Sequence, residues 1–140
     1  MKKLAILGGG ESGTGTAVLA KKKGYEVFLS DAGEIKQQYK QVLSHHGIKW
    51  EEGQHSADRI IACDEVVKSP GIADTVPLVM EIARRGIAYC DEVEFASRYT
   101  NGKIIAITGS NGKTTTTMLT YQMLVQAGLD AAIAGNVGYS

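Results

Sequence analysis

Cysteine, proline, net charge and long apolar runs are all scarce in this sequence, and each scarcity removes a class of protein. Two cysteines, Cys63 and Cys90, occur in 140 residues with no C-x-x-C pairing. That spacing supports neither a disulfide framework nor a zinc site, so both are expected as free thiols. Lysine plus arginine and aspartate plus glutamate each number 15. With no basic excess, neither nucleic acid nor anionic lipid is an expected partner, and an acidic or phosphorylated ligand would have to be held by local groups. The apolar run at the N-terminus, Leu4 to Leu7, is four residues long before glycine intervenes. It is too short for a signal-peptide core or a membrane span, which reads as a cytoplasmic protein.

Glycine, by contrast, is abundant: 17 residues against two prolines, in a chain that is 44% hydrophobic and 21% charged. These values suit a globular domain with many tight turns. Apolar periodicity predicts strands at Lys3 to Leu7, Glu26 to Ser30, Ile48 to Trp50, Glu65 to Lys68 and Ile87 to Tyr89. Between them it predicts helices at Ser12 to Lys23, Glu34 to His46, Pro77 to Arg85 and Glu92 to Tyr99, the last with Asp91 as its N-cap. Gly53 to Asp58 reads as a polar turn. Beyond a boundary near Thr100-Asn101-Gly102, a strand at Lys103 to Thr108, a helix at Lys113 to Ala127 and a strand at Asp130 to Ala134 are expected. Strands alternating with helices imply parallel pairing, because each parallel connection needs a crossover packed on the sheet. The fold expected is therefore α/β: a Rossmann-like parallel-sheet domain over residues 1–98, followed over 99–140 by the first βαβ of a P-loop ATPase-type domain.

Two glycine loops carry the chemistry. Gly8-Gly9-Gly10-Glu11-Ser12-Gly13 fits G-x-G-x-x-G between a strand and a helix, and Asp31 ends the next strand. Such a turn lets a diphosphate approach the backbone and the helix N-terminus. Asp31 would accept hydrogen bonds from a ribose hydroxyl or a base N–H equally well, so the loop fits NAD, FAD or a nucleoside diphosphate. Glu11 is unusual there, since a carboxylate repels phosphate unless it points outward.

The second loop, Thr108-Gly109-Ser110-Asn111-Gly112-Lys113-Thr114, departs from the usual G-x-x-x-x-G-K-[ST], having Ile107 where the first glycine would stand. Its physical parts remain. Glycines free amides to surround phosphate oxygens, Lys113 supplies a point charge, and the Thr114 or Thr115 hydroxyl can ligate Mg²⁺. ATP is the expected nucleotide. His45, His46 and His55 join no acidic or cysteine cluster, so metal binding is not expected of them, and Glu92 and Glu94 read as surface and capping residues.

The order of these parts resembles the Mur ligases, the ATP-dependent amide-forming ligases of peptidoglycan synthesis. The D-glutamate-adding branch is the most similar. The resemblance covers essentially all 140 residues and rests on the N-terminal glycine loop, Asp31, Ser69-Pro70-Gly71-Ile72, Asp91-Glu92-Val93-Glu94-Phe95, the loop with Asn111 and Gly135-Asn136-Val137-Gly138. It implies that Gly8, Gly10, Glu11, Ser12 and Gly13 take the diphosphate of a UDP-sugar, with Asp31 and Ala32 near the uridine, and Ser69, Pro70, Gly71 and Asn136 lining the same site. It also implies that Gly109, Ser110, Asn111, Gly112, Lys113, Thr114, Thr115 and Thr116 hold ATP, with Thr114 or Thr115 at Mg²⁺. The implied substrates are UDP-N-acetylmuramoyl-L-alanine, ATP and D-glutamate. Family members are roughly three times as long, and their remaining magnesium ligands and amino-acid site would lie past residue 140. The expectation is thus an N-terminal portion unable to ligate by itself. The competing reading is a stand-alone NAD(P)- or nucleotide-binding module without ligase activity.

Overall fold

The apolar run Leu4 to Leu7 is buried on both sides, and that fixes the architecture: it is the central strand of a sheet covered on both faces. The structure, a computed structural model, describes residues 1–135 and divides into two units, Met1–Thr100 and the residues from Asn101 onward. In the first unit the elements run β1 (Lys3–Leu7), α1 (Glu11–Lys22), β2 (Glu26–Ser30), α2 (Gln37–His45), β3 (Lys49–Glu51), α3 (Ala57–Ile61), β4 (Glu65–Lys68), α4 (Pro77–Arg84), β5 (Ala88–Cys90) and α5 (Glu92–Ser97). All strand pairs are parallel and the order is β3-β2-β1-β4-β5, so the chain works outward in one direction from β1 and then resumes on its other side. The resulting break in connectivity lies between the carboxyl ends of β1 and β4. Open α/β sheets hold ligands at such a point.

Alternation along the strands builds two cores. Leu4 and Ile6 of β1, Val27 and Leu29 of β2 and Val67 of β4 face α1, α2 and α5, where Ala17, Ala20, Leu43 and Phe95 meet them. Ala5 and Leu7, with Phe28 and Val66, point the other way onto Ile60 of α3 and Ile82 of α4. The small residues of α1 allow it to lie close to the sheet, and Phe95 anchors α5 between the rings of Tyr25 and Tyr99, at centroid distances of 5.8 and 5.3 Å. At the foot of β4, buried Glu65 pairs with Arg98, which follows α5. Asp91 caps α5 as expected, its carboxylate accepting from the Glu94 amide at 2.7 Å.

α3 departs from the expected polar turn. It is a single five-residue stretch whose adjacent Ile60 and Ile61 give no helical period, and it is helical because Ile60 must reach the second core face. α2 begins three residues later than expected, since Ile35 packs beneath the first glycine loop instead.

One buried polar side-chain atom among the described residues has no partner, the Thr14 hydroxyl on the first turns of α1. An unpaired buried hydroxyl is costly, whereas an apolar group of the same shape is not. Thr14→Val is accordingly expected to raise the unfolding free energy by about 1 kcal/mol, measured by urea titration.

In the second unit, α6 (Lys113–Gln126) forms within one residue of its expected end. The strands expected at Lys103 to Thr108 and Asp130 to Ala134 are not formed. A parallel strand exists only through its ladder to neighbours, and among the described residues neither segment forms one. Consistent with that, no residue of α6 is buried, and Ile104, Ile105, Leu119 and Met123 are each more than half exposed.

Candidate functional site

The first glycine loop leaves β1 at its carboxyl end and turns directly into α1. Gly8 has φ +116°, a conformation L side chains rarely adopt, and its amide donates to the Ser30 carbonyl of β2 at 2.9 Å. Gly13 serves a different need. A Cβ on it would stand 2.0 Å from the Gly8 carbonyl oxygen, so the helix can approach the strand only without a side chain there. Gly10 is the N-cap of α1 and supplies no side chain to the first-turn amides, which leaves them for an anion. Glu11 and Ser12, the next two residues, are exposed.

Asp31 ties the end of β2 to this loop. One carboxylate oxygen accepts from the Gly9 amide at 2.5 Å and the other from the Gly33 amide at 2.7 Å. A carboxylate has about four lone-pair positions, so these bonds orient Asp31 and still leave it able to accept from a ligand. Ala32 follows it, exposed, and the segment after it is pinned by Glu52, which accepts from the Ile35 amide at 2.8 Å and pairs with Lys40 at 2.7 Å.

A second brace beneath β2 was not legible in the sequence. The fully buried Ser30 hydroxyl lies 2.7 Å from Glu51 Oε1 and 2.7 Å from His55 Nδ1, and Glu51 also accepts from the Ser56 amide at 2.7 Å and hydroxyl at 2.5 Å. Serine, histidine and a carboxylate together resemble a nucleophilic triad, but a serine with no exposure cannot reach a substrate; the group is a strut. Burial works against the Glu51 charge, yet the Ser56 and Ser30 hydrogen bonds hold its carboxyl below the usual carboxylate range. A carboxylate lowered on folding contributes stability above its unfolded pKa and loses it as pH falls through the folded value. The expected outcome is a loss of stability on acidification below the ordinary glutamate range that is smaller in Glu51→Gln, read as unfolding midpoint against pH.

Across the break in connectivity, β4 delivers Ser69-Pro70-Gly71. The Ser69 amide donates to the Leu7 carbonyl at 2.9 Å, and a Cβ on Gly8 would lie 3.1 Å from Ser69 Cβ. The turn is closed by Ile72, whose amide donates to the Ser69 carbonyl at 2.9 Å and whose own carbonyl accepts from Lys68 Nζ at 2.9 Å. Glu92, expected on the surface, is instead buried at 8% exposure. The correction has a simple cause: the first residue of α5 faces the end of β4, whereas Glu94, two positions on, faces solvent. Burial pushes the Glu92 carboxyl up, with Asp91 adding to it, against the pull of its own amide, Ser69 and Lys68.

In the second unit, Gly109 to Thr116 are brought together at the start of α6. Gly112 is its N-cap in the left-handed region at φ +75°, with no side-chain cap on the amides that follow. Lys113 folds back, Nζ 2.7 Å from the Gly109 carbonyl and 3.5 Å from that of Ser110. Thr114, Thr115 and Thr116 are exposed, and Thr117 donates to the Lys113 carbonyl at 2.8 Å. Among the described residues no group of three or more histidine, cysteine, aspartate or glutamate side chains is placed to hold a metal ion, and both Cys63 and Cys90 are free thiols. Asn136 lies outside the described residues.

A parallel sheet of order β3-β2-β1-β4-β5, with a glycine loop after β1 and a serine turn after β4, defines a Rossmann-like domain. Residues 3–77 match the MurD N-terminal domain, and the chain belongs to that family. It is 54% identical over all 140 residues to the UDP-N-acetylmuramoylalanine--D-glutamate ligase of Bacteroides fragilis, and 50% identical over 137 residues to the one of Porphyromonas gingivalis, spanning 32% and 30% of those proteins. A murein peptide ligase of Psychrobacter arcticus has a similar structure, with a TM-score of 0.65 at 28% identity over 97% of this chain and 31% of the other. The chain thus spans about a third of the length of the curated relatives it matches.

Proposed function

We propose that this chain is the UDP-sugar-binding domain, residues 1–98, and the beginning of the ATP-binding domain, residues 99–140, of a cytoplasmic ligase that joins D-glutamate to UDP-N-acetylmuramoyl-L-alanine. The observation that carries the reading is the pairing of a helix-opening glycine loop with the Ser69 turn across the sheet's break in connectivity. The names of the relatives supply the reaction. The amides after Gly10, with Gly8, Glu11, Ser12 and Gly13, take the diphosphate; Asp31 and Ala32 meet the uridine; Ser69, Pro70 and Gly71 close the site. A helix N-terminus and backbone amides suit a diphosphate ester because they bind charge without bringing a counter-ion.

ATP is assigned to Gly109 through Thr116. Lys113 is the charge that would leave its carbonyl partners for the phosphates, and Thr114 or Thr115 would share Mg²⁺ with phosphate oxygens, since a single hydroxyl without carboxylates cannot hold the ion alone. When bound, the metal would spread phosphate charge during phosphoryl transfer to the carboxylate of the UDP-N-acetylmuramoyl-L-alanine substrate. Binding belongs to these residues, while ligation requires parts of the relatives' length that this chain does not span. The test uses the full-length protein containing this stretch: phosphate release from ATP is expected only with UDP-N-acetylmuramoyl-L-alanine and D-glutamate together. Equal turnover with another amino acid in place of D-glutamate would overturn the assignment.

A further inference from the structure

Hydrogen counting at the strut beneath β2 leaves one assignment for His55. Three groups surround the buried Ser30 hydroxyl: Glu51 Oε1 at 2.7 Å, the Gln54 carbonyl at 3.3 Å and His55 Nδ1 at 2.7 Å. A hydroxyl has one proton to give, and an ionised carboxylate and a carbonyl can only accept. Glu51 has the surroundings of an ionised group, since it also accepts from the Ser56 amide and hydroxyl. The Ser30 proton is therefore spent on Glu51 or Gln54, and the third neighbour has to donate. Were Nδ1 the acceptor instead, the Ser30 lone pairs would face the Glu51 carboxylate at 2.7 Å with no proton between them. His55 thus carries a proton on Nδ1.

What this bond holds is the end of β2 that carries the glycine loop. The Ser30 carbonyl accepts from the Gly8 amide at 2.9 Å, and the Asp31 amide donates to the Glu51 carbonyl at 3.1 Å. The Asp31 carboxylate in turn accepts from the Gly9 amide at 2.5 Å. Gly8 stands at φ +116°, which no regular strand or helix imposes, so its amide is directed by the tie to Ser30. Ser30 has no exposure, so bulk water cannot replace a donor lost from its hydroxyl.

We propose that His55 is a positioning residue for nucleotide binding: its Nδ1–H, donated to Ser30, fixes the end of β2 so that the Gly8 and Gly9 amides and the Asp31 carboxylate are held in place for the ligand. The proposal rests on the diphosphate reading above. His55 lies in the loop between β3 and α3, outside the residues assigned to the ligand, and it acts through Ser30. No group changes its ionisation in this role. A protonated imidazole carries the same Nδ1–H, so the bond survives whether or not the ring is charged.

Proton–nitrogen correlation NMR of the histidine rings in the 140-residue chain, at about pH 8.5 where a free imidazole is neutral, reads the tautomer directly. His55 is expected as Nδ1–H. Calorimetry with UDP-N-acetylmuramoyl-L-alanine, well below the unfolding midpoint, then reads the affinity of folded molecules. His55→Ala is expected to bind about tenfold more weakly, with the Gly8 and Gly9 amide resonances displaced. His55→Asn, whose side-chain amide nitrogen can stand where Nδ1 stands, should restore both. Ser30→Ala should also weaken binding, and adding His55→Ala to it should cost nothing more, because the histidine acts through that hydroxyl. Ser30→Ala and the wild-type tautomer decide the question even where His55→Ala does not fold. An Nε2–H tautomer, unchanged affinity in folded His55→Ala or in Ser30→Ala, no recovery with asparagine, or additive losses in the double variant each overturn the role of His55 and leave the site standing. Absence of binding by wild type removes the site, and the role with it.

Discussion

Gly13→Ala is expected to destabilise the first unit by about 3 kcal/mol and to abolish binding of the UDP-sugar. The new Cβ would fall 2.0 Å from the Gly8 carbonyl oxygen and 3.0 Å from its carbon. Both are backbone atoms of the loop itself, so no side chain can swing away; α1 must lift off β1 or the loop must open. Either movement spoils the alignment of first-turn amides proposed to hold the diphosphate. The same helix contains its control. Gly15 is exposed, and a Cβ on it would meet nothing within 4 Å. Gly15→Ala should therefore follow helix propensity and stabilise by about 0.5–1 kcal/mol, with binding unchanged. Urea unfolding of the two variants against wild type measures both effects. Similar losses in both would mean that the close contact at Gly13 contributes nothing.

Phe95→Ala should cost about 3–5 kcal/mol, the usual penalty for emptying a fully buried aromatic site. Phe95 has no exposure and stands between Tyr25 and Tyr99, with the Arg98 guanidinium 5.7 Å from its ring. The cavity would loosen α5 at the point where Arg98 reaches buried Glu65, adding an exposed-partner ion pair to the loss. It would also loosen α5 against β4, which delivers the turn proposed to close the site, so weaker ligand binding should accompany lower stability. Phe95→Leu retains most of the volume and should recover most of both. Thermal unfolding followed by circular dichroism, with binding measured well below the midpoint, separates the two.

The legible parts were those with a local signature. β1 and β2 declared themselves as unbroken apolar runs, the first loop by glycine spacing after a strand, and the α5 cap by Asp91. What escaped depended on distant partners. α3 is too short for a period and is helical because Ile60 closes the second core face. Glu92 reads as a surface residue from its i, i+2 relation to Glu94, and only the approach of β4 buries it. Ser30 and Glu51 end β2 and β3 while His55 and Ser56 lie in the loop before α3, and nothing in their spacing announces that they meet. The two strands expected after Asn101 show the opposite failure: apolar character was present, but a strand needs neighbours as well.

The same dependence explains why the first loop alone leaves the ligand open. Asp31 is oriented by Gly9 and Gly33 whichever ribose it meets, so its position does not separate a dinucleotide from a UDP-sugar. The Ser69 turn, pressed against Gly8, is the feature that the proposed reading assigns to a sugar diphosphate. Calorimetric titration of the 140-residue chain with UDP-N-acetylmuramoyl-L-alanine and with NAD tests that claim most directly. Saturable binding of the UDP-sugar with no heat from NAD is the predicted result; saturable binding of NAD with none of the UDP-sugar would contradict it.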